Sequence, residues 1–360
     1  MNSNIKLQSF FFYIIIYLVT LNISFTAYGF NNSISGRVLD SVDKTPLPGV
    51  NIYLSGTTFG TATNNNGYYF IKNVPPGNYI LVVSMIGYKV ENKELNVTNG
   101  SKLENDFSLN RKTYELNPIE VKANRPRQWY KDLDIFLDHF LGTTSYSTSC
   151  KIENDFILDL KWNNDTLFAS ASEPLIVYNR ALGYKIDCDL KAFFYDDKNE
   201  LSWSDYNSYY SELKSTDSDE IEKWQENRLE NFSTSLTYFL LWLKSHDEDD
   251  TEFLFRTFSK LIQSETYADA SFHIFEKSFI KIDSTNGSYK LSFNKYLNVK
   301  DTKTKEQSFI KLLYNEITID EFGYPIEKKP FIVYGFWSKA GLSNQLPKYY
   351  GIKDITSLNK

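Results

Sequence analysis

The stretch that decides the fold runs Ile34-Ser35-Gly36-Arg37-Val38-Leu39-Asp40, Pro46-Leu47-Pro48-Gly49-Val50-Asn51-Ile52-Tyr53-Leu54, Gly60-Thr61-Ala62-Thr63-Asn64-Asn65-Asn66-Gly67-Tyr68-Tyr69-Phe70, Pro75-Pro76-Gly77-Asn78-Tyr79 and Ser84-Met85-Ile86-Gly87-Tyr88. Val50, Ile52 and Leu54 alternate with Asn51 and Tyr53, and Tyr79, Leu81 and Val83 repeat the pattern. Tyr68 and Phe70 make a shorter version. Period-two alternation broken by turn signals every 8 to 12 residues or so is the mark of an antiparallel sandwich. Asn66-Gly67 suits a tight hairpin because both residue types tolerate positive φ. Pro75-Pro76-Gly77 sets a rigid turn before the strand at Tyr79.

These residues, in the order GxVxD, PLPGVxVxL, GTxxGTxTxxxGxYxF and VPPGxYxLxVSxIGY, resemble the carboxypeptidase regulatory-like domain. That family is a transthyretin-like (prealbumin-like) sandwich, and the resemblance covers about Ile34 to Leu109. Its usual turn aspartate is Asn64 here, which removes a carboxylate and is expected to keep the turn. The resemblance implies an accessory module, as found beside peptidases and at the front of TonB-dependent outer-membrane receptors. It implies envelope location and docking rather than catalysis. Leu116 to Ala123 resembles the segment that links this sandwich to the plug of such receptors. A receptor barrel has about 22 strands, and the residues that follow are too few and too helical in pattern to supply them.

Upstream, Asn2 to Ser9 carries one cation, Lys6, and Phe10 to Leu21 is uncharged and mostly apolar. Ala27-Tyr28-Gly29 then offers a small-residue cut. This is the layout of a secretory signal peptide over residues 1–29, and the run is short against the roughly 20 apolar residues of a membrane helix. The expected division is signal 1–29, sandwich 33–110, linker 111–127 and an α+β domain over 128–360. The fold class is therefore an all-β domain followed by an α+β domain, with no transmembrane span after signal cleavage.

A formal net charge of −6 argues against nucleic acid, which wants a basic stripe. The 26 tyrosines and 27 phenylalanines suit strand-rich architecture. Cys150 and Cys188 could pair in an oxidising compartment, although Cys188 alternates with Ile186 and Leu190 as a buried strand thiol would. The sequence leaves the two readings level.

In the second half, Gln128 to Leu141 reads as an amphipathic helix, with Trp129, Leu133, Phe136, Leu137, Phe140 and Leu141 on one face. Lys131, Asp132, Asp134 and Asp138 fall largely elsewhere, and Gly142 follows as the C-cap. Phe156, Leu158, Leu160 and Trp162 alternate like a strand. A helical block is predicted over about 219–244 and a short helix over 252–263, with strands returning from Ser271 to Trp337. Several segments of this half, among them Glu173 to Asn179, Trp224 to Arg228 and Gly335 to Ser338, resemble a group of Bacteroidetes envelope proteins that share the regulatory-like N-terminus. The resemblance implies architecture and location, and carries over no activity.

A zinc carboxypeptidase needs His-x-x-Glu plus a later histidine, because zinc takes three protein ligands. His273-Ile274-Phe275-Glu276 matches the short motif, but the chain's three histidines are His139, His246 and His273, so none follows. No metal and no cofactor are expected. Asp247 to Glu252 lacks the spacing of a calcium loop and reads as a solvated run capping the helix at Glu252. Asp196-Asp197 and Asp217 with Asp219-Glu220 read as surface carboxylates rather than glycosidase acids, and no nucleophile elbow, P-loop or dinucleotide fingerprint occurs. No catalytic residue is assigned.

Trp224, Asn227 and Arg228 are the ligand or partner candidates. Trp224 and Arg228 share a helix face, and an indole beside a guanidinium can stack a sugar or hold a carboxylate. The favoured reading is plainer, an arginine paired with a carboxylate and an indole packed in the core. The function expected is that of an exported, non-catalytic protein of the periplasm or outer membrane, or a secreted one. Its partner would be an envelope protein or a glycan, with carbohydrate binding and a second-domain hydrolase as alternatives.

Overall fold

A computed structural model describes residues 31–112, 125–245, 251–258, 280–282 and 287–350. The signal layout of 1–29, the segment Leu116 to Ala123, the acidic residues 247–250 and the His273–Glu276 motif lie outside the described residues.

Eight strands build the N-terminal part: β1 (Ser33–Asp40), β2 (Asn51–Leu54), β3 (Gly60–Ala62), β4 (Tyr68–Lys72), β5 (Gly77–Ser84), β6 (Glu91–Val97), β7 (Lys102–Glu104) and β8 (Phe107–Leu109). One sheet runs β4-β1-β7, with β8 continuing along β1. The other runs β3-β2-β5-β6. Between them Ile34, Val38, Val50, Ile52, Leu54, Leu81, Val83 and Leu109 form a core with no exposed surface. The sandwich stands as read from the sequence. Its one departure from antiparallel pairing is that β7 and β8 lie parallel to β1.

Two local readings change. Gly67 takes φ +77° while Asn66 does not, and the turn carries the chain from one sheet to the other rather than closing a hairpin. The turn itself survives the loss of the aspartate, because the Asn64 side-chain oxygen accepts the backbone N–H of Asn66 and of Tyr68, each at 3.0 Å. On β4 the buried face is Tyr69 and Ile71, so Tyr68 and Phe70 point to solvent.

The second half opens with α1 (Arg127–Phe140), closed by Gly142 at φ +92° just beyond its last turn. It covers a six-stranded antiparallel sheet of β9 (Cys150–Ile152), β10 (Leu158–Asn163), β11 (Thr166–Ala171), β12 (Leu175–Asn179), β13 (Tyr184–Asp196) and β14 (Leu201–Glu212). β11 and β12 line successive stretches of one edge of β13, and β14 follows the other edge. Phe136 and Phe140 pack edge-on to Phe193 beneath the helix. Each ring buried in this way contributes about 1.5–3 kcal/mol. Asp132 turns inward, against the sequence reading, because Gln128 and the Trp162 indole both donate to its Oδ1 at 2.8 and 2.9 Å.

The two thiols are free, which corrects the disulfide. Cys150 lies opposite Asn179 and Cys188 opposite Leu175 on β12. That offset is about 13 Å along the strand, beyond the reach of a disulfide.

The predicted helical block is two helices, α2 (Ser218–Ser233) and α3 (Leu236–Ser245). The break falls where hydroxyls serve both ends. Thr234 Oγ1 donates back to the Glu230 carbonyl, and the Tyr238 N–H donates to Ser235 Oγ as at a helix N-cap. Over its described part the helix predicted for 252–263 is corrected to a strand, β15 (Phe253–Phe258), whose Phe253 and Phe255 alternate into a core, while 259–263 lie outside the described residues. The acidic run therefore caps no helix at Glu252. β16 (Ile280–Ile282), β17 (Tyr289–Leu291), β18 (Tyr296–Asp301), β19 (Gln307–Leu312), β20 (Ile317–Ile319) and β21 (Phe331–Gly335) complete the described strands. They pair as β15-β18-β19-β21 and β16-β17-β20, and α3 packs on them through Phe239, Leu240, Trp242 and Leu243.

The two halves are joined through backbone. Gly56, in the β2–β3 loop at φ +78°, donates to Ser208 O at 2.7 Å and accepts from Lys348 N at 2.7 Å. Tyr210 N donates to Thr57 O at 3.0 Å. Tyr53, outward-facing by alternation, is buried because Tyr209 covers its ring at 5.3 Å. Tyr349 lies against Tyr79 at 5.7 Å between ring centroids.

Candidate functional site

Asp217 caps α2 by accepting the Asp219 N–H at 2.9 Å, and the helix then aims Trp224, Asn227 and Arg228 at one turn, residues 180–183. The Trp224 indole donates to Arg180 O at 2.8 Å, and Asn227 Nδ2 donates to Ala181 O at 2.8 Å. Arg228 Nε donates to Leu182 O at 2.7 Å and Nη2 to Gly183 O at 3.2 Å. Four consecutive carbonyls are thus taken up by three side chains. Gly183 sits at φ +68°, and a Cβ there would lie 2.4 Å from Trp224 Cδ2.

Arg228 is completed from the sheet. Its Nη1 donates to Glu212 Oε1 at 3.0 Å, and its guanidinium carbon lies 4.0 Å from the centroid of the Tyr184 ring. Tyr184 and Glu212 are directly opposite on β13 and β14, so the hairpin register delivers both to the arginine. Burial pushes the Tyr184 phenol up. Sequence reasoning named the three helical residues and missed these two, because only the register of a long hairpin brings them together.

Beside this cluster is a cleft of about 740 Å³, with Trp224 and Arg228 at its wall and Lys214, Ser215, Thr216 and Gln225 around it. The cluster's donors are directed at the turn, and the cleft's further polar lining is Thr216, Lys214, Gln225 and Ser215, whose Oγ accepts the Asp217 N–H at 3.1 Å. The other carboxylates have local structural partners. Asp196 accepts the backbone and side-chain N–H of Asn199 at 3.1 and 2.7 Å, and Asp197 accepts the Tyr195 hydroxyl at 3.1 Å. Among the described residues no group of three or more His, Cys, Asp or Glu is placed to hold a metal ion. No helix among them is long and apolar enough to cross a membrane.

On the sandwich, the face of the β4-β1-β7 sheet turned to solvent carries Tyr68 and Phe70, 52% and 58% exposed. The Arg37 guanidinium rests 5.0 Å from the centroid of the Tyr68 ring.

Comparison with known proteins finds partial matches. TonB-dependent receptor P39 of Formosa agariphila is 36% identical over 93 residues, 25% of this chain and 9% of the receptor. The chain thus spans about a tenth of the length of that relative. Among solved structures, a type II cohesin–X-dockerin complex of Acetivibrio cellulolyticus is 25% identical over 21% of this chain and 53% of that one, with a TM-score of 0.19. The 5-hydroxyisourate hydrolase of Klebsiella pneumoniae is 18% identical over 23% of this chain and 92% of that one, with a TM-score of 0.20. The model of the CarboxypepD_reg-like domain matches residues 34–121. The N-terminal sandwich is accordingly similar to the CarboxypepD_reg-like domain, a match that covers about a quarter of the chain and stands ahead of a helix-and-sheet half.

Proposed function

We propose that the protein is an exported, non-catalytic component of the cell envelope, at the outer membrane or in the periplasm, whose sandwich is a docking module. One observation carries the reading. The sandwich turns its β3-β2-β5-β6 sheet to the rest of the chain through Tyr53, Gly60 and Asn92, and among the described residues leaves the opposite sheet free. That free sheet ends in β4, an edge strand carrying two exposed aromatic rings and a stacked arginine. An edge strand offers unpaired backbone groups to an added strand, and exposed aromatics with arginine are the side chains that anchor protein interfaces. The sequence likeness to a TonB-dependent receptor supports an envelope partner.

Within this reading Trp224, Asn227 and Arg228 are positioning residues. They hold the 180–183 turn against α2, and a small ligand in the neighbouring cleft meets its polar rim beside Trp224 and Arg228.

A photo-crosslinker at Phe70, irradiated in intact envelopes, tests the docking face. The expected result is a discrete adduct with one envelope protein, lost when Arg37 and Tyr68 are both replaced by Ala. Adducts no more frequent than from a crosslinker at Lys131 on α1 would reject it.

A further inference from the structure

The register of the six-stranded sheet sets up a row that no single strand reveals. Lys161 on β10 lies opposite Phe168 on β11, Phe168 opposite Phe194 on β13, and Phe194 opposite Trp203 on β14. Residues directly opposite in antiparallel strands project to the same face. The other face carries Leu167, Phe193 and Tyr195 under α1, so this row stands on the side turned away from the helix. Phe168 is 45% exposed, and Phe194 and Trp203 are half-buried with their rings 5.8 Å apart at 37°. The Lys329 ammonium lies 3.5 Å from the centroid of the Trp203 ring.

We propose that this row is a platform for an extended, neutral, β-linked pyranose polysaccharide, lying across the strands. Three arguments favour that occupant. Adjacent strands are about 4.8 Å apart, close to the advance of one sugar along such a chain, so successive rings can meet successive sugars. A pyranose presents its axial C–H groups as an apolar face of slight positive charge, which suits the negative face of an aromatic ring. Polar groups flank the row on both sides: Asp159, Ser170 and Asp205 along one, Asn163, Thr166 and Asp196 along the other. They are placed to accept and donate hydrogen bonds at the sugar's edge.

Charge selects the neutral class. Three carboxylates border the row, and one of its two lysines, Lys161, is already paired with Asp159. A polyanionic glycan would meet net repulsion. Lys329, exposed and held over the indole, is a cover that the first sugar replaces on Trp203. The platform lies on a different sheet from the docking face and does not depend on it.

Affinity electrophoresis of the full chain tests the assignment, in native gels containing hydroxyethylcellulose, xyloglucan or galactomannan, with alginate as the polyanion. Retardation is expected in at least one neutral gel and not in alginate. Phe168→Ala and Trp203→Ala should each weaken it at least tenfold, while Tyr68→Ala on the sandwich leaves it unchanged. Phe168 is exposed enough that its variant keeps the fold, checked by far-ultraviolet circular dichroism and thermal melting. Migration unaltered in all three neutral gels, retardation undiminished in Phe168→Ala, or retardation in alginate alone would each overturn the proposal.

Discussion

Asp40 ends β1 with a carboxylate that accepts from four donors. The Val42 and Asp43 amides reach it at 2.8 and 3.4 Å, the Tyr88 hydroxyl at 2.9 Å and Arg111 Nε at 2.7 Å. These bonds, the Val42 amide foremost and then Arg111, hold the carboxyl well below the usual carboxylate range. The carboxylate is covered but the shell over it is thin, since Arg111 is itself 60% exposed. A depressed carboxyl stabilises the fold above its unfolded value, near pH 3.9, and that support is lost as the pH falls toward the folded value. Asp40→Asn should therefore lower the thermal midpoint at pH 7 and flatten its decline between about pH 4 and pH 2, as a series of thermal melts would show. The thiols give a second expectation. Burial pushes Cys150 up to about 12 and also raises Cys188 well above its ordinary range. A thiol reagent at pH 8 should find neither in the native protein and both after denaturation. Either thiol reacting promptly in the native state would contradict the burial described.

At the scale of elements, what the sequence discloses depends on whether a pattern is local. The sandwich is legible because alternation, prolines and glycines act within a few residues of one another. α1 is legible too, down to Gly142, because its stripe and stop signal are contiguous. The misread segment 253–258 holds Phe253, Phe255 and Phe258 in a run short enough to suit either period, and pairing with β18 decides it. The aromatic row over β10, β11, β13 and β14 has no local signature at all, since it exists only once four strands are in register. The α2 cluster lies between these cases. Its three helical residues share a visible face, while Tyr184 and Glu212 arrive from the hairpin. Removing the arginine should be costly, because it leaves the Leu182 carbonyl and the Glu212 carboxylate without their donor, while Gly183 O keeps the Leu213 N–H at 2.9 Å. Arg228→Ala is expected to lose about 2–4 kcal/mol in urea denaturation, and Arg228→Lys to recover part of it. A loss below about 0.5 kcal/mol would mean the turn is held by other contacts.

For the whole molecule, the sandwich and the second half are fastened by backbone hydrogen bonds at Gly56 and Thr57 and by tyrosine packing at Tyr53 and Tyr79. The Lys328–Glu94 pair also spans them, but both partners are largely exposed and such pairs contribute about 0–1 kcal/mol. The tyrosines matter more. Tyr349→Ala removes a ring that touches Tyr79, Phe322 and Tyr324 together. Differential scanning calorimetry should then resolve the single transition expected of the parent into two, and a single transition in the variant would show that the Gly56 contacts suffice. The bond from Lys348 to Gly56 also has a consequence in time. A chain made from its N-terminus completes the sandwich early, yet the last partner of its β2–β3 loop is synthesised almost 300 residues later. Tyr53 stands open until Tyr209 arrives, and the Gly56 carbonyl and the Tyr79 ring until Lys348 and Tyr349 do, each exposed to water, to a chaperone or to another nascent chain. The protein therefore passes through a waiting stage in which its most adhesive surface is the one that the mature molecule hides.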